Sequence, residues 1–302
     1  MPELPEVETV RRGLAERAVG RRITAVEVGR ERTVRRTSRD ALIAGLTDTT
    51  MLAAQRRGKY LLCPLDSGDT MMIHLRMSGR LVIERPEARR ALHTHVVMHL
   101  DGEVPEQLRF VDPRTFGEIV VFDPTNAAQE VPELARLGID PVADGLDRAT
   151  LRALLGSHRR QMKPLLLDQR LIAGLGNIYT DEILHAARIH PLRTSDSLRG
   201  PEIGRLHAAL HDVLAAAIDA RGSTLADAQY VDLMGEGGSY QDEHRVYGRA
   251  GQACTTCGRE VVVRLVGAGR STHLCPRCQP LRRGDQARRG RAERSPASDA
   301  FQ

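Results

Sequence analysis

The spacing of apolar positions changes twice along the chain. Val7, Val10 and Leu14 recur at helical intervals, behind Pro5 and ahead of Gly20, and predict a helix over residues 5–17. From about residue 22 to 122 the texture differs. Short β-branched or apolar runs recur at 23–28, 60–65, 71–75, 80–83, 95–100, 108–111 and 118–122, separated by turn residues such as Asp66-Ser67-Gly68-Asp69 and Asp101-Gly102. Short strands so spaced predict a β-sandwich or barrel with the first helix packed against it. A Pro-containing stretch, 123–146, reads as a linker. Helical spacing then returns, with Leu151, Leu154 and Leu155 on one face. Two short helices are predicted over 164–169 and 178–187, around the turn Ala173-Gly174-Leu175-Gly176. A longer one, 201–220, turns Leu206, Leu210, Val213 and Leu214 inward. An irregular Gly-rich stretch at 222–245, a cysteine hairpin at 247–279 and an Arg-, Ser- and Gly-rich tail, expected to be disordered, complete the order. The class expected is a multidomain α+β protein.

Composition narrows this picture. A length of 302 residues suits about two domains. The formal net charge is +5, but residues 281–302 hold six Arg against three acids, so the folded part is nearly balanced and basicity alone says little about nucleic acid. Only Lys59 and Lys163 among 44 basic residues are lysines, which suits positions needing an amine that can lose its proton or a compact charge; chance is the bland reading. Five cysteines, four of them in C-x-x-C pairs, fit a reducing compartment, and Cys63 reads as an inert buried thiol. The acidic amino terminus lacks a signal-like apolar core and no apolar run approaches 18 residues. The expectation is a soluble cytoplasmic protein. No internal repeat is seen.

The first eight residues carry the candidate chemistry. Removal of Met1 would leave Pro2 with a free secondary amine. An α-amine titrates near ~8, so a useful fraction is neutral and nucleophilic at pH 7. A secondary amine attacking a sugar C1′ gives a charged iminium, a reactive Schiff base. Glu3, and Glu6 one turn on, could hold a developing cation or pass a proton to a leaving base. The bland alternative is a helix opened by Pro5 with acids at its positive end.

Three further groups bear on the partner. Cys254-x2-Cys257 and Cys275-x2-Cys278, seventeen residues apart, place four thiolates around one structural zinc. The strands between them are expected at 261–265 and 271–274, with Gly267-Ala268-Gly269-Arg270 as the tip, where Arg270 suits a phosphate contact or simply faces solvent. Asn177 follows Gly174-Leu175-Gly176 and can cap a helix starting at Ile178, which with its exposed amides would make an anion site. The runs from His74 to Gly79 and from Asp112 to Gly117 each end at glycine after a strand, so Met77, Arg114 and Phe116 could project from loop tips. An apolar side chain in the base stack, with Arg bonded to an abandoned partner base, is how a protein holds a duplex open. Ordinary burial of Met and Phe is the alternative.

Taken together, MPELPEVETVRRGL, GKYLL, HLRMSG, DPRTFG, GLGNIY and the VYGRAG–CTTC–GRSTHLCPRCQ segment resemble bacterial formamidopyrimidine-DNA glycosylases over residues 1–279, in unbroken order. The resemblance implies an N-terminal catalytic β-sandwich with its leading helix (1–130), a linker (131–146) and a helix–two-turn–helix DNA-binding domain (147–222). A lesion-capping loop (223–245), a zinc-ribbon-like β-hairpin finger (246–280) and a disordered basic tail (281–302) follow. It implies excision of oxidised purines such as 8-oxoguanine and formamidopyrimidines from damaged double-stranded DNA clamped between the two halves, then strand cleavage by β,δ-elimination.

By position, Pro2 resembles the Schiff-base nucleophile, Glu3 the general acid, Lys59 the proton donor for β-elimination and Arg270 the residue assigned to δ-elimination. Arg rarely yields its proton, which favours a phosphate clamp for Arg270. His93, Arg114 and Arg159 match DNA-contacting positions, His74 and Asn177 look like phosphate contacts, and Met77, Arg114 and Phe116 resemble a void-filling triplet. The segment 230–241 corresponds to a mobile lid over the everted base. Zn2+ is the one cofactor implied, with no small-molecule cofactor, no membrane and a monomeric state. Departures are a segment between the cysteine pairs that is one residue longer than the pattern, Arg76 where a small residue is more usual, and a tail without counterpart. The rival readings are an endonuclease VIII-type glycosylase for oxidised pyrimidines, disfavoured by the PELPEVE opening and the Arg114/Phe116 loop, and a non-catalytic zinc-finger DNA-binding protein, which gives Pro2 and Glu3 no role.

Overall fold

The computed structural model describes residues 1–34, 36–225, 230–267 and 269–281, so the expected disordered tail beyond Leu281, and Ala268 of the expected finger tip, lie outside the described residues. Two compact units divide the chain: residues 1–145, 169–176 and 214–243 form the first, and 146–168, 177–213 and the chain from 244 onward the second.

The first unit opens with α1 (Leu4–Arg17), whose Val7, Val10 and Leu14 are buried. Its free amides are met at once: the Glu3 N–H donates to the Glu6 carboxylate at 2.8 Å. After it come β1 (Arg22–Val28), α2 (Arg39–Leu46) and β2 (Thr49–Thr50), then β3 (Gln55–Arg57), β4 (Tyr60–Pro64) and β5 (Thr70–His74). The strands β6 (Arg80–Glu84), β7 (Thr94–Leu100), β8 (Glu106–Val111) and β9 (Glu118–Phe122) complete two antiparallel sheets, ordered β2-β1-β7-β8-β6 and β3-β4-β5-β9. Both sheets feed one core. Val26, Met98, Phe110 and Leu81 from the first meet Leu61, Met71, Ile73 and Ile119 from the second, with Val10 and Leu14 of α1. This is the sandwich with a leading helix that the strand spacing predicts.

The helix α2 escapes the periodicity because only two of its eight residues, Leu42 and Leu46, are buried. Its start is nevertheless capped, the Ala41 N–H donating to Ser38 Oγ at 3.1 Å. Residues 123–145 of the expected linker belong to the first unit. They carry two single-turn helices, α3 (Ala127–Glu130) and α4 (Pro132–Ala135), and Val131 between them packs with Tyr60, Met72, Val120 and Phe122 on the outer face of the second sheet. Four-residue helices are too short to show a period. With both faces covered, β5 can be apolar at successive positions, as Met71-Met72-Ile73 is. Cys63 is fully buried and burial pushes its thiol up to about 12, which fits an inert role.

A buried ion network pins the turn between β3 and β4. Arg56 bonds Glu8 Oε2 at 3.0 Å and Asp140 Oδ2 at 2.5 Å, and the Gly58 N–H donates to Asp140 Oδ2 at 2.7 Å. The Arg56 and Asp140 side chains are 2% and 0% exposed. Arg56→Met strips two buried carboxylates of their shared cation and is expected to cost about 3–5 kcal/mol of unfolding free energy in a urea titration. A change below about 1 kcal/mol would show that the network is not stabilising.

In the second unit α5 (Arg148–Gly156) buries Leu151 and Leu155, and Asp147 Oδ1 accepts from the Thr150 N–H at 2.7 Å to cap it. Next is α6 (Met162–Leu166), starting two residues before the expected 164–169 helix. Pro164 is its third residue, where a helix has no use for an N–H, so Pro sits inside the first turn rather than opening it. The helices α7 (Asn177–Ala186) and α8 (Gly200–Asp219) follow, residues 214–219 of α8 belonging to the first unit; in α8 Leu206, Leu210 and Leu214 are buried, while Val213, expected inward, is half-buried on the flank. The hairpin β10 (Val263–Gly267) and β11 (Arg270–Leu274) pairs Val263 with Leu274 and Gly267 with Arg270. The first finger strand thus lies nearer the tip than expected, and Val261 makes only an isolated bridge to Ala253. Among the described residues no helix is long and apolar enough to cross a membrane.

Candidate active site and metal centre

The amino terminus of α1 is held by the turn Ala173-Gly174-Leu175-Gly176, which belongs to the same unit. The Leu4 N–H donates to the Gly174 carbonyl at 3.0 Å. The Gly176 N–H donates to Glu3 Oε2 at 2.8 Å, and Glu3 is buried. Pro2 is buried beside it, whereas Met1 is 49% exposed. Gly174, at φ +94°, could carry no side chain, since a Cβ there would lie 2.7 Å from Leu4 Cδ1. On its other side stands Gly58: a Cβ on Gly58 would be 3.3 Å from the Gly174 nitrogen and 3.1 Å from Ala173 Cβ. The neighbours of Glu3 and of Lys59 therefore meet at one residue. Lys59 is itself buried, at the β3–β4 turn.

Glu6 completes the anchoring. Beyond its bond from Glu3, Glu6 Oε1 accepts from the Ser223 N–H at 2.7 Å, and a Cβ on Gly222 would sit 2.7 Å from Glu6 Cγ. The expected lid is tied to the same helix. Tyr230 and Leu233 belong to the first unit's core, the Tyr230 hydroxyl donates to the Arg221 carbonyl at 3.0 Å, and the Ile83 N–H donates to the Leu233 carbonyl at 2.9 Å. A Cβ on Gly13 would touch Leu233 Cβ at 2.9 Å. The stretch 230–241 is thus fixed at its beginning rather than loose throughout; residues 226–229 lie outside the described ones.

The two glycine-ended loops are stitched together by Asp112, which is fully buried. Its carboxylate accepts from Ser78 Oγ at 2.5 Å, the Arg114 N–H at 3.2 Å and the Gly117 N–H at 2.7 Å. Both loops need glycine: a Cβ on Gly79 would lie 2.5 Å from the Leu75 carbonyl oxygen and 3.0 Å from Phe110 Cζ, and one on Gly117 would lie 2.5 Å from Phe110 Cζ. Met77 and Phe116 project at 39% and 37% exposure, and the Arg114 guanidinium stands 5.6 Å from the Phe116 ring centre. Neither is ordinary core. His93 is exposed, at φ +67°. His74 is buried, edge-on to Tyr60, with Nδ1 accepting from the Arg76 N–H at 3.0 Å. Burial, then the Arg76 and Lys59 charges, hold its pKa well below the ordinary value, so the ring is neutral with its proton on Nε2.

The second unit holds the remaining residues. Asn177 begins α7 instead of preceding it, and its Oδ1 is buried without a hydrogen-bond partner among the described residues, so it caps nothing there. Arg159 is 70% exposed and 3.6 Å from Asp196. Arg270 is exposed at the start of β11. Lys163 is structural: Nζ donates to Asp181 Oδ1 at 2.6 Å and to the Ser271 carbonyl at 2.7 Å, while the His273 N–H donates to Asp181 Oδ2 at 2.8 Å. Glu182 accepts from the consecutive N–H groups of Arg245, Val246 and Tyr247, although burial still pushes its pKa up.

The four sulfurs of Cys254, Cys257, Cys275 and Cys278 lie within 4.8 Å of one another. Cys254–Cys278 and Cys257–Cys275 are each 3.8 Å apart, far beyond a disulfide. A tetrahedron with zinc–sulfur arms of ~2.3 Å has edges of roughly 3.8 Å, so the residues fit one structural zinc ion.

Sequence reasoning missed Asp112, Ser78, Glu182 and the pairing of Glu3 with Gly176. Only the glycines hinted at the last, being placed where a side chain would collide.

Comparison with known proteins agrees with this geometry. Residues 1–119 match the formamidopyrimidine-DNA glycosylase N-terminal domain, 137–229 its H2TH domain, and 251–281 a zinc finger found in FPG and IleRS. Formamidopyrimidine-DNA glycosylases from Pelotomaculum thermopropionicum and Salinispora tropica are 43% and 45% identical, covering 93% and 96% of this chain and all of theirs. The Lactococcus lactis Fpg in complex with an abasic site containing DNA superposes with TM-score 0.82 at 36% identity, over 92% of this chain and 100% of that one. A variant of it in complex with a Fapy-dG containing DNA gives 0.84 at 35%, over 93% and 100%. The class defined by this fold and site is a DNA glycosylase of base excision repair. More narrowly, the chain belongs to the formamidopyrimidine-DNA glycosylase family.

Proposed function

We propose that the protein is a bifunctional glycosylase and abasic-site lyase that removes oxidised purines from double-stranded DNA. The Lactococcus lactis complexes with Fapy-dG and abasic-site DNA support that substrate class. The observation that carries the mechanism is the anchoring of Glu3 by Gly176 next to Pro2, with Gly58 of the Lys59 turn packed on Gly174 of the same Gly-rich turn. Loss of the exposed Met1 frees the Pro2 nitrogen. That nitrogen attacks C1′ while Glu3 gives a proton to the departing base, and the C1′–N bond breaks. The ring oxygen leaves C1′ as a hydroxyl and the iminium remains. The iminium acidifies C2′–H; Lys59 serves the proton transfers as the 3′ phosphate leaves in β-elimination. A δ-elimination then releases the 5′ phosphate, with Arg270 holding phosphate.

His93, Arg114, Arg159, His74 and Asn177 bind DNA in this reading, and Met77, Arg114 and Phe116 fill the void left by the everted nucleotide. The wedge recovers part of the few kcal/mol that unstacking costs. The zinc ion braces the finger. The monomeric state and the division 1–130, 131–146, 147–222, 223–245, 246–280 and 281–302 belong to the same proposal.

Borohydride added during reaction on 8-oxoguanine DNA is expected to trap a covalent protein–DNA adduct at Pro2. Pro2→Gly should lose cleavage by several orders of magnitude. A Pro2→Gly enzyme cutting at the parental rate would overturn the mechanism. A panel containing oxidised pyrimidines, if cut faster than 8-oxoguanine, would overturn the purine assignment alone.

A further inference from the structure

A histidine side chain reaches a sulfur of the metal centre. His185, on α7, places Nε2 3.7 Å from Cys254 Sγ, and both residues are buried within the second unit. The other ring nitrogen, Nδ1, is buried without a hydrogen-bond partner among the described residues.

These two facts fix the same tautomer. A zinc-bound cysteine is a thiolate and has no proton to give, so in a bond between the two atoms Nε2 must be the donor. Nδ1 is then the nitrogen without hydrogen, which leaves no buried N–H stranded on that side. His185 also lies one helical turn beyond Asp181 and Glu182, on the same face of α7. Asp181 receives the His273 N–H of β11, and Glu182 receives the three amides that lead into the finger. Along one helix face, then, two contacts hold the finger's backbone and the third reaches a metal ligand directly.

We propose that His185 is a positioning residue for the zinc ion: its Nε2–H bonds to the Cys254 thiolate and keeps that sulfur on the metal. Four thiolates place a net charge of −2 on the filled site, concentrated on sulfur. An N–H donor draws some of that charge, so the sulfur is less readily protonated and displaced from the metal. It also fixes the sulfur's direction towards the ion. Groups of this kind, bonded to a ligand rather than to the metal, change affinity by about 10–100-fold when removed.

Two variants of similar size isolate the N–H. His185→Gln keeps a donor and His185→Leu has none. Zinc transfer from the full-length protein to excess chelator is expected to be about 10-fold faster for His185→Leu than for His185→Gln. With cobalt in place of zinc, the thiolate-to-metal charge-transfer band should lie at longer wavelength in His185→Leu, because an unbonded sulfur holds its electrons less tightly. Equal transfer rates and coincident bands in the two variants, whether both resemble the parent or both are weakened, would overturn the proposal. In that case side-chain volume alone, and not the hydrogen bond, sets metal retention.

Discussion

Glu3→Gln is expected to slow excision of 8-oxoguanine by about 10²–10⁴-fold, the usual contribution of a positioned acid. It should leave cleavage at a preformed abasic site within a few-fold of the parent. The substitution is nearly isosteric, and the bond from Gly176 can persist, because an amide oxygen accepts from an N–H as a carboxylate oxygen does. What is lost is the ability to protonate a departing base. An abasic site has no base to expel, and its sugar opens to an aldehyde that Pro2 can attack directly. Lesion and abasic duplexes measured side by side under single-turnover conditions therefore separate the two roles. Equal losses on both would remove Glu3 from the acid's role and make it a structural cap of α1.

The β-rich first domain was legible because its strands are bounded by turn residues and its core side chains alternate or cluster in short runs. The short helices α6 and α7 were legible from the glycine turn between them. What was not legible are contacts between residues far apart in sequence. Glu182 looks like any acid on a helix, yet it binds three amides more than sixty positions on. Asp112 reads as a turn residue, yet it joins two loops through Ser78, 34 positions away. The helices α2, α3 and α4 bury too few side chains to leave a period, so their place in the fold is set by the sheet they cover. The start of the expected lid shows the same effect: glycines in 230–241 suggest freedom, but Tyr230 and Leu233 within that stretch are core. The cysteine pairs are the opposite case, since chelate spacing along the chain nearly determines the site.

Gly176 offers the sharpest test of how the active site is built. A Cβ at this position would stand 2.3 Å from Glu3 Cδ and 2.4 Å from Oε1, so the carboxylate must move by roughly 1 Å to restore contact distance. The Gly176 backbone is not in the left-handed region, so the space alone demands glycine here. Gly176→Ala is expected to cost about 10²-fold in excision, the scale of a 1 Å misplacement of a reacting group. The effect on folding should be smaller, because the colliding atoms are the end of one side chain rather than backbone. The decisive measurement is the double variant. If Gly176 acts through the carboxylate it positions, Glu3→Gln with Gly176→Ala should be no slower than Glu3→Gln alone, since the second change spoils a group already disabled. Losses that multiply instead would show that Gly176 serves the reaction by another route, such as the approach of its backbone to DNA.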